Sequence, residues 1–435
     1  MAARNPLVVG STGLPQQLQL GDSIYPLRSA SAGDVTLAAT DANGTIVVSN
    51  SSLSNVFVPN NATVGFGVGV EVTILATATY IVCVLPSAVA QIVCPIGFLP
   101  WIPTNGGSAT LYKIASDAWF VGGANLQAVR YGYFAGGYSS GATSVIDRIV
   151  FATGITAASS SALSGVRYGL AKASVSDSVQ YGYFAGGNNG ARTAIADRMV
   201  LSTGTTAANT VSNLSTVRQF LGGVSGRTPT GTTYGYFVGG DSGAVVATAD
   251  RITFSTGVTA ANTVSNLSQA RTYPCGLGDS FANGYFAGGV SGGSTYVATT
   301  DKLVFSTGVT SANTASNLSA GRSNPASISN GTTFGYWLGG TTTGTAFVAT
   351  TDRITFSTGV TAANTVSNLS VARDALAGVS DGATYGYAAG GHTAASTPGA
   401  NADRIVFSTG VTAANTVSNL SATKSDLTGL SEGAI

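Results

Sequence analysis

Apolar and polar positions alternate in short bursts along most of this 435-residue chain, and the bursts recur. Six of them open on an acidic-basic pair: DRIVF (147–151), DRMVL (197–201), DRITF (250–254), DKLVF (301–305), DRITF (352–356) and DRIVF (403–407). Period-two alternation over such a stretch predicts a strand. Ahead of each stands an aromatic run ending in two glycines: YGYFAGG at 131–137 and again at 181–187, then YGYFVGG (234–240), NGYFAGG (283–289), FGYWLGG (334–340) and YGYAAGG (385–391). The second glycine returns every 49 to 53 residues. A period of that size indicates an array of small units, none of which can bury its apolar face alone.

Each unit reads as four pieces in fixed order. The glycine-ended run is followed by the acidic-basic run, then by a segment best seen as STGVTAANTVSNLS (255–268 and 408–421). The fourth piece is led by a basic residue, Arg167, Arg218, Arg271, Arg322, Arg373 or Lys424. Apolar faces with a 3.6-residue period, which a helical array would need, do not occur. Four short strands per repeat describe a blade of a β-propeller, and six repeats predict six blades. The glycine-ended run is expected to be an inner strand that places aromatics between blades and ends where only a residue without Cβ fits. The C-terminal SDLTGLSEGAI (425–435) matches DALAGVSDGAT (374–384) position for position, and the tyrosine that should follow it is Tyr131. It is therefore expected to pair with 131–137 and close the ring, which removes two exposed edges.

The paired glycines, the aromatic ending the next strand (Phe151, Phe254, Phe305, Phe356, Phe407) and the Asn-Leu-Ser-x-x-Arg junction resemble kelch-type propeller repeats over residues 125–435. The tryptophan of the kelch outer strand is absent, its region reading TAANTVSNL. Upstream, residues 56–70 (VFVPNNATVGFGVGV) and 109–122 (ATLYKIASDAWFVG) resemble a small β-domain that recurs in bacteriophage tail fibres and other virion surface proteins. NPLVVGSTGLPQQLQLGDSI near the N-terminus resembles the attachment end of such fibres. The fold expected is all-β: an N-terminal arm (1–28), a β-rich fibre-type domain (29–124) and a six-bladed kelch-like β-propeller (125–435) closed by the C-terminal strand. The resemblance implies a virion structural protein, tail fibre or receptor-binding protein. Residues 1–124 would join other tail proteins and self-assemble, as a trimer by analogy with fibres, and the propeller would meet a host receptor or glycan. A purely architectural decoration protein and a polysaccharide depolymerase are the alternatives.

Composition narrows the chemistry. Charged residues are 9% of the chain and the net charge is +1 without a basic block, so nucleic acid and an anionic membrane surface are not expected partners. Val72–Pro103 carries no charge, but its four prolines and β-branched core predict two buried strands rather than a membrane span. The opening MAARNPLVVGSTG has no continuous apolar segment of the kind that starts a signal peptide. Cys83, Cys94 and Cys275 fit neither a disulfide framework nor a metal spacing and read as small buried hydrophobes, with pairing of Cys83 and Cys94 as the alternative.

With one histidine, His392, and two glutamates, no catalytic residues, metal site or cofactor are assigned. The repeated Asp-Arg pair reads as structural, Asp capping a backbone and Arg reaching solvent or a neighbouring blade. The Asn-Leu-Ser triplets read as turn residues rather than glycosylation sites. The loops after the paired glycines differ most between units. Tyr138, Asn188, Asn189, Arg192, Asp241, Tyr296, Phe347 and His392 are the residues there able to stack on or hydrogen-bond a sugar.

Overall fold

The computed structural model describes residues 7–9, 15–17, 27–30, 34–48, 54–76, 82–86, 91–93, 101–102, 107–122, 130–172, 174–227, 233–393 and 397–432. They fall into two compact units, Met1–Val129 and Arg130–Ile435.

In the first unit, consecutive strands alternate between two sheets. Leu27–Ala30, Gly44–Val48 and Glu71–Ala76 lie parallel in one, and Val35–Thr36, Ser54–Val58 and Val82–Pro86 lie parallel in the other. Gly107–Ala115 and Ala118–Gly122 extend the first sheet antiparallel. Alternate residues of each strand, such as Ile46, Val48, Val56, Val58, Val72, Ile74 and Leu111, form one core. Phe66 meets Trp119 edge-on in it, with ring centroids 5.2 Å apart. Within 56–70 and 109–122, Val56, Val58, Phe66, Leu111, Trp119 and Val121 are thus packing residues, whereas Val68, Tyr112 and Ile114 are exposed. Leu7–Val9 and Pro15–Gln17, inside the expected arm, pair as a hairpin. Cys94 lies outside the described residues, and of Cys83 only the backbone is described. Among the described residues no helix is long and apolar enough to cross a membrane.

The second unit is a six-bladed propeller of four-stranded antiparallel sheets. Five blades are continuous in sequence; the sixth blade, for example, runs Ala377–Ser380, Tyr385–Ala389, Ala402–Val406 and Val411–Ala414. The first blade is assembled from both ends of the unit. Thr428–Ser431 pairs with Tyr131–Ala135, which pairs onward with Val145–Val150 and Ile155–Ala162. The expected closure is therefore present. One assignment needs correction: the glycine-ended run is the second strand, and the small-residue segment after each basic residue is the innermost one. Space explains it, because near the axis a Cβ on Gly276, Gly378 or Gly429 would come 2.1 Å from the carbonyl oxygen of the next inner strand. Aromatics belong one strand further out. Serines serve the crowded inner edges: Ser327 Oγ donates to Gly276 O (2.7 Å), Ser329 Oγ to Gly278 O (2.8 Å) and Ser380 Oγ to Ser329 O (2.6 Å).

Between blades, the tyrosine at the third place of five of the six runs stacks on the aromatic that ends the acidic-basic strand of a neighbour; opposite Tyr133 that strand ends in Leu201. Tyr183–Phe254, Tyr236–Phe305, Tyr285–Phe356, Tyr336–Phe407 and Tyr387–Phe151 lie 5.8 to 6.3 Å apart, near parallel. Both glycines of each pair take positive φ, and a Cβ on Gly136 or Gly137 would strike the carbonyl of Arg167 or Ser425. Turn and close approach thus demand glycine together.

The acidic-basic pair works differently from expectation. Each Asp is buried and binds the basic residue that leads a fourth piece: Arg167–Asp197, Arg218–Asp250, Arg271–Asp301, Arg322–Asp352, Arg373–Asp403 and Lys424–Asp147. Each also accepts a backbone N–H from the preceding blade's Leu-Ser, as Ser268 N to Asp301 Oδ1 at 3.2 Å, so the expected capping role is half of its work. Burial lowers Arg167 to about 10, still cationic at neutral pH. The Arg that follows Asp lies over the first aromatic of its own blade, and Arg148 is exposed there, as expected of a residue that reaches solvent. Arg148–Tyr131, Arg198–Tyr181, Arg251–Tyr234, Arg353–Phe334 and Arg404–Tyr385 are 4.4 to 4.7 Å from ring centre. In the fourth blade, where the aromatic is Asn283, the Arg is Lys302.

Candidate binding face

Two sets of connections emerge on one face of the propeller: the loops between second and third strands, and the links from each outermost strand to the next innermost one. The first residue of each loop pairs with the residue after a basic one. Tyr138 meets Ser425, Asn188 meets Tyr168, Asp241 meets Gln219, Val290 meets Thr272, Thr341 meets Ser323 and His392 meets Asp374. Each loop then folds back as a tight hairpin, through Ala142, Arg192, Val245, Tyr296, Phe347 or Pro398. The frame is constant while its side chains are not, because the backbone bonds that hold it make no demand on residue type.

One position further on, Gly169, Phe220, Tyr273, Asn324, Ala375 and Asp426 all have φ between +51° and +61°. Their amides and carbonyls link head to tail: Phe220 N donates to Gly169 O (2.7 Å), Tyr273 N to Phe220 O (2.7 Å), Ala375 N to Asn324 O (3.1 Å), Asp426 N to Ala375 O (2.8 Å) and Gly169 N to Asp426 O (2.9 Å). This collar surrounds the axis on the loop face. It holds five non-glycine residues in a region that disfavours them.

All eight residues expected to bind lie on this face. Asn188, Arg192 and Asp241 share a row: Asn188 Nδ2 donates to Gln219 Oε1 (2.8 Å), Gln219 Nε2 to Asp241 Oδ2 (2.9 Å) and Arg192 to the same oxygen (2.7 Å). Burial opposes ionisation of Asp241, yet the bonds from Arg192, Gln219 and Gly243 hold its carboxyl below the usual range. His392 and Phe347 stack with centroids 6.3 Å apart, and His392 Nδ1 lies 3.0 Å from Asp374 Oδ1. Tyr296 lies near Asp374, and burial first and that carboxylate second raise its hydroxyl pKa. Tyr138 is 40% exposed and edge-on to Tyr168 at 5.4 Å. Asn189 is exposed at a hairpin tip, its amide donating to Ala191 O.

Sequence reasoning missed Tyr168, Phe220, Tyr273, Asp374 and Asp426. Tyr168 to Phe220 is 6.3 Å and Phe220 to Tyr273 is 4.3 Å between ring centres. Lys172, buried beneath the collar, reaches within 3.8 Å of Asp426. Burial raises the Asp426 carboxyl pKa, with Lys172 and His392 opposing. The signal for these residues was available: one and two places after each basic residue, six aligned segments read YG, QF, TY, SN, DA and SD, far more varied than their surroundings. Cys275 is buried, which pushes its thiol up to about 11 and makes it a packing residue as expected. Among the described residues no group of His, Cys, Asp and Glu could hold a metal ion.

No known protein family matches the chain, and no curated protein matches it in sequence.

Proposed function

We propose that this chain is a virion surface protein, a tail fibre or receptor-binding component, whose propeller recognises a host-surface glycan through the loop face. Residues 1–124 would attach it to other tail proteins and assemble it as a trimer. What carries the reading is the contrast on that face: six equivalent loop frames, built by the same backbone bonds, present Tyr138, Asn188, Asp241, Val290, Thr341 and His392 around one axis. A rigid scaffold with side-chain variation confined to one loop set suits recognition. The aromatic and amide groups there suit a sugar, whose ring has an apolar face and a polar edge. The resemblance of residues 56–70 and 109–122 to fibre domains supports the virion setting.

The test is binding of the full chain to host cells and surface glycans, with grouped Ala substitutions of the eight loop residues. Loss of binding at an unchanged melting temperature is expected. A wild-type chain that binds no host surface would leave an architectural role instead. Light scattering checks assembly, and a monomeric mass would count against the trimer.

A further inference from the structure

We propose that within this face the sugar-binding subsite is the aromatic arc Tyr138–Tyr168–Phe220–Tyr273 with the polar row Asn188–Gln219–Asp241–Arg192 beside it, and that it takes a neutral pyranose end rather than an acidic one. The inference rests on the recognition reading above and sharpens it.

The two rows are interleaved. Tyr168 exchanges both backbone hydrogen bonds with Asn188, at 3.1 and 2.9 Å, and Gln219 directly precedes Phe220. Ring faces and amide or carboxylate edges therefore alternate along the same two links. A pyranose needs this combination: an aromatic surface for its C–H face and planar polar groups for the hydroxyls at its rim. The row is already ordered by three hydrogen bonds of 2.7 to 2.9 Å, so little side-chain freedom remains to be lost on binding.

Phe220 carries the second observation. Its φ is +56°, where Gly169, one blade earlier, occupies the same collar position at +61°. A Cβ on Gly169 would come 2.5 Å from the Phe220 ring, so Phe220 lies across its neighbour in space that only glycine leaves open. Collar geometry alone favours glycine at both places. A bulky aromatic kept there against backbone preference points to a use at the surface.

Charge selects the ligand class. Among the described residues Arg192 is the exposed cation of this face, and Asp241 already neutralises it at 2.7 Å. Lys172 is buried beside Asp426, and His392 faces Asp374. A sialylated, uronic or phosphorylated glycan would find no unpaired positive group, whereas a neutral hexose or N-acetylhexosamine needs none.

The experiment presents the full chain to immobilised neutral glycans ending in hexose or N-acetylhexosamine and to sialylated, uronic and phosphorylated ones. Neutral binding is expected. Phe220→Gly should weaken it at least tenfold while the melting temperature holds or rises, since the backbone strain is relieved. Tyr138→Ala, at an exposed ring outside the collar, should weaken it severalfold, and it decides the matter if Phe220→Gly melts early. Binding of acidic glycans alone would overturn the ligand class. Neutral binding that survives both substitutions would overturn the subsite and leave the recognition face standing. No glycan or host-cell binding by the wild type would overturn the recognition reading itself.

Discussion

The first and sixth blades perform the same task with different covalent structure. In the sixth, Asp381 turns the chain from innermost to second strand: its amide donates to Tyr385 O (3.0 Å), and its Oδ1 accepts from the amides of Ala383, Thr384 and Tyr385. In the first, no chain joins Ser431 to Tyr131, yet Glu432 makes the corresponding bonds. Its amide donates to Tyr131 O (2.9 Å), its Oε2 accepts from Tyr131 N (2.9 Å), and its Oε1 accepts from the Tyr133 hydroxyl (2.9 Å). One extra methylene lets a carboxylate reach across a gap that a turn spans elsewhere. The seam is thus a side-chain copy of a turn, backed by Lys424–Asp147 (2.5 Å), by Ser418 Oγ donating to Gly154 O (2.5 Å) and by the Phe151–Tyr387 stack.

The comparison breaks most severely if the seam is removed. Deleting residues 425–435 strips Tyr131–Ala135 of its inner partner, opens that strand's edge and takes Leu427 and Leu430, both at most 1% exposed, out of the core. The expected loss is roughly 5 kcal/mol or more, the scale of a missing core element. Thermal or urea unfolding of the truncated chain checks it, and an unchanged transition would contradict the closure.

Next in size is the buried ion-pair ring. Asp301→Ala leaves Arg271, fully buried, without its carboxylate, which should cost about 3–5 kcal/mol. Asp301→Leu combined with Arg271→Met should recover most of that, because replacing both ions by apolar groups removes the desolvation penalty along with the attraction. Denaturant midpoints of the single and double variants decide it. A double variant as unstable as the single would show that the Arg271 bond to Phe286 O and the Ser268 amide on Asp301 matter more than the ion pair.

That ring also shows where sequence reading reaches its limit. Blade number and closure were legible because they depend on period and on a positional match between 374–384 and 425–435. The aromatic stacks were legible because aromatic residues recur at fixed spacing. The partner of each Asp was not, since Arg218 and Asp250 lie 32 residues apart, and a single acidic-basic dipeptide invites pairing within itself. A charge kept in all six units on an otherwise apolar strand was the available clue. The innermost strand was misplaced because its small, weakly apolar residues, such as Ala377–Ser380, look peripheral; crowding at the axis, which admits only small side chains, is a tertiary fact. The collar of the candidate binding face escaped because it comes from links between blades, outside the loops that vary in length.

A pH effect at the seam should be smaller than either change. Burial raises the Glu432 carboxyl from 4.5 to about 7, with the bonds from Tyr133 and Tyr131 acting in the opposite sense. The folded chain therefore binds this proton more tightly than the unfolded one between those values. The stability it contributes is fully present below pH 4.5 and is lost as pH rises through about 7. Glu432→Gln keeps an acceptor for the Tyr131 amide but does not titrate. Wild type minus Glu432→Gln, followed as melting temperature from pH 4 to 8, should fall with rising pH; a flat difference would mean that the carboxyl titrates normally.

The smallest effect tests whether blades can be made alike. In the fourth blade Asn283 and Lys302 stand where five others place an aromatic ring under an arginine. The two strands keep the same register there, Tyr285 opposite Lys302 as Tyr236 is opposite Arg251, so the geometry for stacking already exists. Asn283→Tyr or Lys302→Arg alone supplies half of a pair, although lysine over a new tyrosine recovers part of the attraction. Together they should add a coupling energy of about 0.5–1 kcal/mol, the range for a surface cation over a ring. Arg251→Ala in the third blade should lose a similar amount. A double-mutant cycle in urea measures the coupling. A value near zero would mean that Asn283 suits the fourth blade through its bond from Nδ2 to Asp279 Oδ2 (2.9 Å), a contact that a tyrosine there would have to replace.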